Sequence, residues 1–265
     1  MTFQPVLPFG GLQGWMYLER TYETQLETFG AQAQMQRDVA YFKENIGSIT
    51  SAEELVSDRQ LRKVVLGAFG LQDDLPNIYF VQRILGDGTS TDDALANKLA
   101  DTRYREFSAA FGLGPGELRR SGSSQLMSDI ADKYLAQSFE AAVGEQDSTM
   151  RIALNGMREV AEMASAATSE NTKWYTILGQ APLRELFQTA LGLPDSFGQA
   201  DLDLQLGVFQ DRLQSMTGSS SISQFSDPEV LDRLINVYHA RSQIAASSVS
   251  TSSAATALAL LSGAV

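Results

Sequence analysis

One helix ending is written three times in this chain, and that repetition constrains the fold more than any other feature. Val64-Val65-Leu66-Gly67-Ala68-Phe69-Gly70-Leu71 recurs as Glu106-Phe107-Ser108-Ala109-Ala110-Phe111-Gly112-Leu113. It returns as Glu185-Leu186-Phe187-Gln188-Thr189-Ala190-Leu191-Gly192-Leu193. Each copy is an apolar run closed by Gly and then Leu. Glycine enters the left-handed region after a last helical turn without steric cost, and the Leu beyond it folds back onto that turn. The first and third copies also agree upstream, Leu61-Arg62 standing opposite Leu183-Arg184 at an offset of 122 residues. The pattern predicts an all-α protein, a multi-helix bundle built from two weakly related helical units. It also predicts positive φ at Gly70, Gly112 and Gly192.

Spacing and capping signals fill in the rest. Apolar residues fall at intervals of three and four from Trp15 to Ile46, with a gap near Gly30, which reads as one long amphipathic helix broken there. Thr50 with Glu53 and Ser51 with Glu54 are alternative capping boxes, and Asp58 can cap the helix that ends at Phe69. Asp73-Asp74 and Thr91-Asp92-Asp93 read as further helix starts. Residues 125–143 and 148–167 read as long helices forming an antiparallel hairpin, and Leu202 to Met216 as a helix with Leu204, Val208, Phe209 and Leu213 inward. Asp227-Pro228 is a clear N-terminal signal. The expected organisation is a flexible start over 1–14, a first helical unit over 15–120, a second over 121–246, and a flexible or partner-binding tail over 247–265.

Composition excludes several classes. A formal net charge of −12 is the wrong sign for a nucleic-acid groove or an anionic membrane surface. No cysteine is present, so disulfides, thiolate metal sites and Cys nucleophiles are absent. No stretch approaches the roughly 20 apolar residues of a membrane span, and Met1-Thr2-Phe3-Gln4-Pro5 lacks the basic start and apolar core of a cleaved secretory signal. The one histidine, His239, lies in a helix and is expected at a surface or interface. Gly112-Leu113-Gly114-Pro115-Gly116 follows a helix and lacks the Lys-Ser/Thr ending of a phosphate loop, so it reads as a helix stop. The paired carboxylates, Asp201-Leu202-Asp203 among them, sit where helix caps are wanted. No catalytic, cofactor or metal site is expected, and the protein is read as non-enzymatic.

Several stretches together resemble a known family. They are Gly11-Leu12-Gln13-Gly14-Trp15 with Leu18-Glu19-Arg20-Thr21, Glu54-Leu55-Val56-Ser57-Asp58-Arg59, Ala68-Phe69-Gly70-Leu71, and Ala96-Asn97-Lys98-Leu99-Ala100-Asp101 with Arg103-Tyr104. They look like an alphaproteobacterial domain-of-unknown-function family, numbered twelve-seventeen, whose members are often encoded among flagellar genes. The likeness is dense from Gly11 to Leu113 and thin beyond. It implies a setting and supplies no catalytic residues. The expectation is a non-enzymatic helical protein of the bacterial flagellum, a structural, assembly or scaffold component that packs its helices against flagellar components or a second copy. The alternative is a cytoplasmic regulatory or ligand-binding module of the same system. Trp15, Tyr22, Leu258, Leu260 and Leu261 are the candidate contact residues, because they lie on terminal helices with apolar faces.

Overall fold

The gap at Gly30 is a true break. Helix α1 runs Gly11–Gly30 and α2 runs Ala33–Asn45, with Ala31 and Gln32 between them. The computed structural model describes residues 3–262, with side chains described for all but residue 195 and residues 248–262. Among the described residues every regular element is helical, and no strand occurs.

The chain divides into two compact units, Met1–Val6 with Arg20–Gln146, and Leu7–Glu19 with Asp147–Val265. This division differs from the expected break after residue 120 in two ways. Helix α8 (Ser124–Gly144) belongs to the first unit, because it packs on α4 (Arg59–Ala68). And α1 is shared, its first half belonging to the second unit. The helices expected to pair as a hairpin therefore belong to different units: α8 packs on α4, whereas α9 (Ser148–Ser165) packs on α11 (Ala181–Ala190) and α13 (Pro228–Ser262). Nor is the chain start loose from residue 3 onward. Pro5 is buried, and the Val6 N–H donates to Gln25 Oε1 at 2.7 Å.

In the first unit, local capping sets the elements. Ser51 starts α3 (Ala52–Ser57), its hydroxyl accepting from the Glu54 N–H at 3.2 Å. The Glu54 carboxylate returns to the Thr50 N–H at 2.6 Å. Asp58 starts α4, accepting from Gln60 N–H at 2.8 Å and Leu61 N–H at 2.9 Å, while its other oxygen accepts from Tyr41 at 2.7 Å. Helix α4 then buries Leu61, Val64, Val65, Leu66 and Ala68, each large side chain contributing roughly 1.5–3 kcal/mol of burial. A Cβ on Gly67 would stand 2.8 Å from the Tyr134 ring, so only glycine lets α8 approach this closely. Helices α5 (Ile78–Asp87), α6 (Leu95–Lys98) and α7 (Arg103–Phe111) complete the unit. Here two expectations fail. Asp73 and Asp74 lie in a 3-10 turn and do not cap α5; Asp74 instead accepts from the Tyr104 hydroxyl at 2.6 Å. The helix expected after Asp93 is split into α6 and α7, neither capped by Asp92 or Asp93; the Arg103 N–H at the start of α7 instead donates to Asp101.

In the second unit, α10 (Glu170–Gly179) pins a 3-10 turn at Ile222–Ser226. Glu170 accepts from the Ile222 N–H at 2.5 Å and the Ser223 hydroxyl at 2.6 Å. Buried Lys173 donates to the same hydroxyl and to the Ala164 carbonyl, so its charge is not left without partners. Helix α12 (Leu202–Thr217) turns Phe209 and Leu213 inward as predicted, but Leu204 is exposed and Gln205 takes the buried place. Gln205 is tolerated there because its amide donates to the Gly198 and Ala200 carbonyls.

The repeated endings are real. Gly70, Gly112 and Gly192 have φ of 67°, 60° and 69°. After α4, Leu71 N–H bonds the Leu66 carbonyl and Gly70 N–H the Gly67 carbonyl; after α11, Leu193 N–H bonds Gln188 and Gly192 N–H bonds Thr189. The two sets are identical at the 122-residue offset, and both are Schellman closures. The correspondence extends upstream: Arg62 Nη1 donates to the Val56 carbonyl, and Arg184 Nη1 to Leu178. Helices α3–α4 and α10–α11 are thus one helix pair written twice. The Gly112 ending differs, closing with a single bond from its N–H to Ser108.

Candidate functional site

Of the contact residues expected from the sequence, Trp15 is buried, Tyr22 is half-buried, and the three leucines lie outside the described side chains. Trp15 is 2% exposed and lies against α13, its indole stacked on the imidazole of His239 with centroids 5.1 Å apart. It is core of the second unit and unavailable to a partner. Tyr22 is half-buried in the first unit, its ring edge-on to Phe139 at 5.6 Å. Leu258, Leu260 and Leu261 lie on α13, and their side chains fall outside the described residues.

His239 is not at a surface either. It is fully buried, and among the described residues neither ring nitrogen has a hydrogen-bond partner. Burial drives its pKa down to about 4, with Asp147 pulling weakly the other way. A neutral ring between Trp15 and Tyr238 is a packing group here.

Beside that contact the second unit exposes apolar side chains. The first half of α1 and the middle of α13 run antiparallel, Trp15 meeting His239 while Gly11 sits where any Cβ would strike the Gln243 side chain. From the three segments that meet there come exposed Phe9, Met16 and Ile244, the last two 60% and 66% accessible. His239 is the last described buried residue of α13, and residues 243–247 are all exposed. The helix continues to Ser262, about 23 further residues and roughly 35 Å at 1.5 Å each. Its sequence there is Ser/Thr/Ala-rich, then Ala254-Ala255-Thr256-Ala257-Leu258-Ala259-Leu260-Leu261. The buried residue is Trp15 and the exposed one its neighbour Met16, because helical periodicity marks an apolar face without saying how far around it the core extends.

Among the described residues no three His, Asp or Glu side chains are gathered as metal ligands, and no helix is long and apolar enough to cross a membrane.

Known proteins agree on the fold. An X-ray crystal structure of protein AGR_C_984 from Agrobacterium tumefaciens matches with a TM-score of 0.71 at 23% identity, covering 90% of this chain and 97% of that one. No curated protein matches. A family model matches residues 68–231, a span that takes in the Gly112 and Gly192 endings and reaches into α13. That model is the one described as protein of unknown function (DUF1217), and with more than half of its length matched the chain belongs to this family.

Proposed function

We propose that this protein works by helix packing against a protein partner, as a structural, assembly or scaffold component of the bacterial flagellum. The observation that carries the reading is α13, which leaves its own core at His239 and runs on for about 23 residues to an Ala/Leu-rich end. An apolar stripe on a helix of that length is covered when a second helix packs along it. Phe9, Met16 and Ile244, on the segments that meet at its base, are exposed. The occupant that fits is an amphipathic helix of a flagellar subunit. The flagellar setting rests on the gene surroundings of the family.

The test is a chromosomal deletion scored for swimming and filament assembly, with cell fractions, basal bodies and filaments probed for the protein. Loss of motility rescued by the full chain, but not by a chain ending at Ala246, is the expected result. Normal swimming in the deletion strain would refute the flagellar role, and full rescue by the truncated chain would refute the part given to α13.

A further inference from the structure

The first unit contains a recess of about 670 Å³ lined by Gln34, Arg37 and Asp38 of α2, Arg59, Gln60 and Lys63 of α4, and Leu75. That volume suits a small-molecule ligand. Three cations and one carboxylate line it, in a chain whose formal net charge is −12.

The carboxylate is already used. Asp38 is buried, its Oδ1 accepting from Gln34 Nε2 at 2.9 Å and its Oδ2 from Lys63 Nζ at 2.6 Å and the Tyr134 hydroxyl at 3.0 Å. The same Gln34 amide accepts from Arg37 Nη2 at 2.9 Å. One buried acid thus orders Lys63 directly and Arg37 through Gln34. Arg59 makes no hydrogen bond or ion pair among the described residues, and its repulsion, after burial, holds the Arg62 guanidinium below its ordinary value. An anion in the recess relieves that repulsion and meets donors whose side-chain order is already set.

The duplicated helix pair supplies an internal comparison. On α11 an equivalent recess of about 530 Å³ is lined by Ala181, Arg184, Glu185, Gln188 and Thr189 together with Gly198. At the 122-residue offset Ala181 stands for Arg59 and Glu185 for Lys63. The fold accepts an alanine and an acid at these positions, so helix packing does not require the two cations of the first copy. Nor does the N-terminus of α4 hold the site, since Asp58 occupies its free amides.

We infer that the recess between α2 and α4 binds a small multivalent oxyanion, held by Arg37, Arg59 and Lys63. Its chemistry is that of clustered anionic oxygens, as in a phosphate ester or a di- or tricarboxylate. Calorimetry on the full chain with inorganic phosphate, pyrophosphate and citrate tests it. At least one is expected to bind at one site per chain, more weakly as salt is raised. Arg59→Ala and Arg37→Ala, both at exposed positions, should each weaken binding about tenfold with an unchanged circular dichroism spectrum. Arg212→Ala, on α12, should change nothing. Binding of the phosphates without citrate assigns the phosphate-ester class, and citrate alone assigns the polycarboxylate class. If none of the three binds, or if Arg212→Ala weakens binding as much as Arg59→Ala, the site is refuted.

Discussion

Acid should loosen the second unit well before it touches the carboxylates, and His239 is the reason. The folded imidazole titrates at about 4 against 6.5 when unhindered. Between those values the unfolded chain binds a proton that the folded chain refuses, so stability is complete above pH 6.5 and is lost as pH falls toward 4. The full loss is about 3 kcal/mol, of which about 2 kcal/mol is gone by pH 5. Carboxylates held low, such as Glu54 by the hydrogen bond from the Thr50 N–H and Asp87 by that from Arg83, add their losses only below their ordinary 4.5 and 3.8. Glu19, pushed up first by burial and then by Asp232, works the opposite way and gains stability as pH falls. Both tryptophans, Trp15 and Trp174, belong to the second unit, so indole fluorescence during urea unfolding isolates it. The midpoint should fall between pH 7 and 5 in the natural chain and stay level in His239→Phe, which keeps an aromatic ring against Trp15. An equal fall in both proteins would refute the reasoning.

Other expectations follow from single contacts. Gly116→Ala should cost about 1 kcal/mol for its left-handed backbone alone, since nothing lies within 4 Å of the new methyl. Gly112→Ala should cost about 2 kcal/mol more, because its Cβ would stand 2.2 Å from the Leu118 carbonyl oxygen; equal urea midpoints for the two variants would contradict this. Asp38→Ala should destabilise the first unit by about 2 kcal/mol, less than for a fully buried pair because the Lys63 side chain is 43% exposed; an unchanged melting temperature would count against the network. Deleting residues 247–265 should leave the melting temperature nearly unchanged, because residues 243–247 are already all exposed; a drop of several degrees would show that the end of α13 is part of the fold.

Helix endings were legible in the sequence because a Schellman closure is written within six residues, as Leu66 to Leu71 and Gln188 to Leu193 show. Caps at Ser51, Asp58 and Asp227 are local for the same reason. The unit boundary was not legible, since it depends on residues 7–19 packing with a segment that follows residue 146. Burial of His239 left no local mark, because a histidine in an amphipathic helix reads the same in a core and at a rim. At α12 the pattern favoured Leu204 over Gln205, and only the carbonyls of Gly198 and Ala200 explain the reversal. The recess could be half read: Arg59 and Lys63 share a face of α4 at a spacing of four. Arg37 and Asp38 join them only through the fold.

The shared helix α1 also sets an order of events during synthesis. Trp15 leaves the ribosome long before its stacking partner, His239. At 5–20 residues per second the intervening stretch takes roughly 10 to 45 seconds to make. Residues 20–146 can settle into their own core meanwhile, whereas the first half of α1 holds its indole uncovered until α13 arrives. Over that interval the nascent chain carries an apolar amphipathic segment uncovered, open to a chaperone or to the same segment of a neighbouring chain on the polysome.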